Sequence, residues 1–108
     1  MGLRVKAWAI TAANANTKTF EIYFGATGCA SLTSALNNGA FVAETTILRT
    51  SGTSQECAGT VIGGTGAGAT RQTPAETLSG AVSLLVRGTT PTAAGDLTFK
   101  GLTVEVLN

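Results

Sequence analysis

Apolar and polar residues alternate along most of this chain. Leu3, Val5, Ala7 and Ala9 fall on one side of an extended segment, and Arg4, Lys6, Trp8 and Ile10 on the other. A period of two predicts a strand, here one whose faces are not cleanly polar and apolar. Thr11 to Asn16 is a small-residue connection with two asparagines suited to turn conformations. Thr17 to Phe24 is the clearest strand: Phe20, Ile22 and Phe24 face one way, Thr19, Glu21 and Tyr23 the other. These two strands and their connection predict an antiparallel hairpin.

The alternation continues with punctuation. Gly25 to Ser31 reads as a weaker extended segment carrying Cys29, and the stretch 32–40 ends in the turn signal Asn37-Asn38-Gly39. A strand from Phe41 to Thr50 shares one face among Phe41, Ala43, Thr45 and Ile47, and a returning strand runs from Ser54 to Ile62. Gly63 to Thr73 has no large apolar residue and reads as a loop. Pro74 to Leu78 leads into a further short strand from Gly80 to Arg87, and Gly88 to Gly95 is a loop. In the last strand, Asp96 to Leu107, the apolar set moves from odd positions (Leu97, Phe99) to even ones (Leu102, Val104, Val106), so a bulge or bend is expected at Gly101. Recurring β-branched residues and glycines argue against helix. The fold expected is all-β: one antiparallel, jelly-roll-like β-sandwich of seven to eight strands spanning residues 1–108.

Composition narrows the function. Of 108 residues only 12% are charged, 14 are glycine, 17 alanine and 19 threonine, and the net charge is +1. That apolar mass suffices for one thin core. No basic patch can accumulate, so no nucleic-acid partner is expected. No apolar run approaches the roughly 20 residues of a membrane helix, so no membrane partner is expected either. The basic and apolar alternation at Met1 to Lys6 does not read as a signal peptide, and synthesis in the cytoplasm is expected. Cys29 and Cys57 stand 28 positions apart, outside any metal-binding spacing. They pair in an oxidising setting; a cytoplasmic product more often keeps such residues reduced and buried.

Candidate chemistry is sparse. Without histidine there is no His-based triad, and no Ser-x-x-Lys spacing supplies an alternative base. Glu21, Glu44 and Glu105 sit mid-strand beside threonines, which fits a solvated strand face better than a pair of glycosidase carboxylates. Gly64-Thr65-Gly66-Ala67-Gly68-Ala69 matches a dinucleotide fingerprint, but Thr73-Pro74 follows where a helix should run, and no acidic residue lies some 20 positions on. No catalytic residue, metal or cofactor is expected. The remaining candidates are interface residues: Trp8 and Tyr23, paired across the first hairpin beside Arg4, Lys6 and Glu21, together with Arg71 from the glycine-rich loop.

Five blocks carry a resemblance: Leu3 to Thr11, Asn16 to Gly25, Glu44 to Glu56, Ala75 to Ala81 and Lys100 to Glu105. In order and spacing they resemble a β-domain family of tailed-bacteriophage virion proteins. The resemblance implies a jelly-roll-like sandwich that assembles as a homotrimer on a virion, with no catalytic residues. With no shaft ahead of Met1, the expectation favours a capsid decoration (cement) protein bound to the major capsid protein on the head surface. The alternative is a tail-fibre or receptor-binding tip domain recognising host glycan. A bacterial carbohydrate-binding module is a third reading, which would normally accompany an enzyme.

Overall fold

The computed structural model describes residues 1–64 and 66–107. Its strands are β1 (Gly2–Thr11), β2 (Lys18–Phe24), β3 (Thr27–Ser34), β4 (Ala40–Ser51), β5 (Ser54–Gly63), β6 (Gly66–Gln72), β7 (Leu84–Thr89) and β8 (Leu97–Leu107), with one 3-10 turn at Ala94–Asp96. They form two antiparallel sheets, five-stranded in the order β6-β5-β4-β1-β8 and three-stranded in the order β3-β2-β7. The chain is a β-sandwich.

The first hairpin is not formed. β1 pairs with β4 and β8, whereas β2 pairs with β3 and β7. Both strands carry one apolar face, and those faces stack across the core instead of lying side by side in one sheet. The connection between them therefore crosses from layer to layer. Val5, Ala7, Ala9, Phe41, Ala43, Ile47 and Val61 from the larger sheet meet Phe20, Ile22, Phe24 and Ala30 from the smaller. The rings of Phe20 and Phe41 stack across the middle at 6.0 Å.

The turn at 37–39 forms as its residues require: Asn38 takes φ +49, a left-handed conformation that asparagine tolerates. The β2–β3 hairpin closes through Gly25 at φ +59, the first-position glycine of a two-residue turn. β3 runs three residues beyond the extended segment expected there, and β7 starts at Leu84, later than the sequence pattern indicates.

β6 lies where a loop was expected. Its small residues have a structural cause: the two sheets touch closely along this side. A methyl group on Gly68 would collide with the Ser31 carbonyl of β3, and one on Gly59 with the Cys29 carbonyl and Thr45. No large apolar side chain faces inward from β6, because no space separates the layers. Thr65, in the glycine-rich motif, lies outside the described residues. Cys29 of β3 and Cys57 of β5 form a disulfide across this side, with Cα atoms 5.8 Å apart. The reduced cysteines expected of a cytoplasmic product are thus replaced by a bond between layers.

The opposite side is open. β8 packs edge-on against β1, and the three-stranded sheet ends at β7 without covering it. The expected bulge is present: Trp8 pairs with Gly101 and Ala9 with Phe99, leaving Lys100 as the surplus residue. By absorbing that residue, the bulge keeps Leu97, Phe99, Leu102, Val104 and Val106 on the face shared with Val5, Ala7 and Ala9.

Candidate functional site

The outer face of the five-stranded sheet carries four of the six residues selected from sequence. Cross-strand register sets its order. One row is Trp8 of β1, Val42 of β4 and Ile62 of β5. These side chains and neighbouring Ile10 are all more than a third exposed, making an apolar strip bordered by Gly101, over which the Trp8 indole lies. The next row is Lys6, Glu44 and Thr60; the one after it is Glu105, Arg4, Thr46, Ala58 and Arg71.

The charged rows neutralise themselves. Arg4 donates to Glu105 at 3.3 Å and lies 3.9 Å from Glu44, while Arg71 pairs with Glu56. Such exposed pairs contribute little to stability, but they leave the face without a strong field of either sign. Between Glu44 and Arg71, a shallow depression of about 440 Å³ is floored by Ala58, Gly59, Thr60 and Ala69. It is an open dish of small residues.

Glu21 and Tyr23 are elsewhere. They stand on the outer face of the three-stranded sheet, with the sandwich between them and Trp8. The pairing of Trp8 with Tyr23 therefore does not exist, because the hairpin that would have made it does not form. Tyr23 instead donates its hydroxyl to Glu21 at 3.3 Å and holds the Arg87 guanidinium 5.9 Å from its ring centre. The ring also lies over Gly28.

One polar group was missed. Lys18 is fully buried and donates from Nζ to the Asn14 carbonyl at 2.9 Å, Asn14 Oδ1 at 3.0 Å and the Leu36 carbonyl at 2.8 Å. Asn14 and Asn16 in turn donate to the two oxygens of buried Asp96 at 2.8 and 3.0 Å. These two amide hydrogen bonds, aided by the Lys18 charge and the Ala93 backbone, hold the Asp96 carboxyl below its ordinary value. The sequence held a signal: Lys18 is in phase with Phe20, Ile22 and Phe24. The cluster ties the β1–β2 connection to the 36–39 turn and the 3-10 turn. Among the described residues no buried side-chain nitrogen or oxygen lacks a hydrogen-bond partner, which makes the cluster a structural tie.

Among the described residues, no three His, Cys, Asp or Glu side chains converge as a metal site would require. No family model, curated protein or solved structure matches this chain.

Proposed function

We propose that this domain is a bacteriophage virion structural protein. In this reading it is a capsid decoration protein, made in the host cytoplasm, that binds the outside of the head as a homotrimer and stabilises it. It acts without catalysis or cofactor, and its partners are copies of itself and the major capsid protein. The observation carrying the reading is the outer face of the five-stranded sheet: an apolar strip of Trp8, Ile10, Val42 and Ile62 beside rows of threonine, alanine and internally matched charges. Such a face loses little solvation on contact and offers apolar area, as a clamp on a protein shell requires. The five sequence blocks resembling phage virion domains supply the biological setting.

The test uses undecorated heads of the parent phage. The protein should sediment with them and raise the temperature at which they release DNA. Val42→Lys and Ile62→Lys should abolish both effects while leaving the circular dichroism spectrum unchanged. Failure to bind heads overturns the reading.

The half-exposed indole of Trp8 favours one alternative, a fibre-tip domain that stacks a host glycan on this ring. Binding to host cells or surface polysaccharide, lost in Trp8→Ala, distinguishes it from head binding.

A further inference from the structure

The open side of the sandwich presents an apolar stripe that the fold itself does not cover. Phe99 is 52% exposed, Leu102 43%, Val104 47% and Val106 66%. These side chains lie on the core-facing side of β8, in register with fully buried Ala9, Ala7 and Val5 for the first three. They belong to the core by orientation and to the surface by exposure, because the three-stranded sheet stops short of them. β8 is also an edge strand of 11 residues, and its outer edge offers unpaired backbone donors and acceptors.

We propose that a second copy of this chain pairs its β8 antiparallel to this β8 about a twofold axis through Thr103. The strand is self-complementary in that register. Leu102 then stands opposite Val104 of the second copy, and Val104 opposite its Leu102. The surplus bulge residue lets Lys100 and Gly101 together face Glu105 of the second copy, which brings Phe99 opposite its Val106. Apolar residues thus meet apolar residues on the core-facing side, and on the outer side a lysine meets a glutamate at both ends. Glu105, already 3.3 Å from Arg4, would extend the charged row from one sheet into the next. A shift of one residue would place Leu102 opposite Thr103 and lose both matches.

The free edge beside the stripe suits this occupant. The exposed stripe is on the order of 300 Å² per copy, the size of patch that marks an association surface. Pairing edge to edge covers the flanks of these side chains and the backbone edge of β8, and it joins the two stripes into one continuous apolar face. Cross-strand aromatic–aliphatic and opposite-charge pairs are the contacts that stabilise such a seam. The inference does not rest on the capsid reading, since it concerns two copies in solution. A threefold contact made elsewhere on the domain is compatible with it and would give six copies in place of two.

The test is the mass of the purified protein by sedimentation equilibrium and light scattering across the micromolar range. A dimer, or a hexamer, is expected. Val104→Lys should weaken the twofold association at least tenfold, halving the mass with no change in circular dichroism; Val104 is exposed in the single copy, so the variant should fold. Lys100→Glu or Glu105→Lys alone should weaken association several-fold, and the double variant should restore it, because only an intermolecular pair in this register reverses together. A monomer at the highest concentration overturns the proposal. So does a trimer or other oligomer whose mass Val104→Lys leaves unchanged, or a charge-swapped double variant no better than its parents.

Discussion

Lys18 and Asp96 meet through a single side chain: Asn14 accepts from the Lys18 ammonium at Oδ1 and donates to the Asp96 carboxylate from Nδ2. An amide can serve both charges because it carries an acceptor and a donor on one planar group. The relationship joins three connections distant in sequence, and it explains how a lysine is accommodated at a position in phase with three buried apolar residues.

Replacing that lysine should be costly. Lys18→Met retains the apolar stem but strands the Asn14 and Leu36 carbonyls in the interior, while Asn14 Oδ1 keeps only the Asn16 N–H. Loss of charge-assisted hydrogen bonds with buried acceptors left behind should cost about 2–3 kcal/mol. The urea midpoint should fall accordingly with an unchanged slope. A change below about 0.5 kcal/mol, within the scatter of surface substitutions, would show that the cluster does not support the fold.

Asp96 gives the domain an acid limit. A carboxyl whose folded value is depressed contributes stability above its ordinary value, and the contribution disappears as pH falls through the folded value. Stability from this group should therefore be level from neutral pH down to the ordinary value of 3.8 and decline in more acidic solution. Asp96→Asn should be less stable at neutral pH and show a shallower decline. Parallel profiles for the two proteins would refute the assignment.

The disulfide should matter most to the unfolded chain. Closing a loop over a sequence separation of 28 restricts that chain by about 3–4 kcal/mol in the entropic account. Reduction, or the paired change Cys29→Ala and Cys57→Ala, should lower stability by up to this amount, measured by denaturant titration with and without reductant. An unaltered midpoint would mean that the close packing of β3 on β5 and β6 suffices alone.

Gly68→Ala tests why β6 has no large apolar residues. The added methyl meets the Ser31 backbone, which cannot rotate away, so a loss of about 1–3 kcal/mol is expected from overpacking. Gly52→Ala, where an added methyl meets nothing within 4 Å, should leave the thermal midpoint nearly unchanged. Equal effects at the two positions would refute the account of the closed side.

Alternation by itself determined most of this architecture. It separated Phe20, Ile22 and Phe24 from Glu21 and Tyr23, assigned Phe41, Ala43, Thr45 and Ile47 to one face, and located the bulge beside Gly101, because a side chain's face follows directly from its parity along a strand. It also placed three candidate residues, Arg4, Lys6 and Trp8, on one face; Arg71, chosen from a stretch read as a loop, joins them only because that stretch is β6. Only the tertiary structure decided which strands share a sheet. Parity is the same whether two apolar faces lie side by side or stack across a core, so the separation of Trp8 from Tyr23 was not legible. Nor was β6, whose small residues are set by the approach of another strand and not by its own propensity. The joining of Cys29 to Cys57 follows from the same approach. The exposure of Phe99, Leu102, Val104 and Val106 belongs with these: their parity assigns them to the core, and only the width of the opposing sheet leaves them facing solvent.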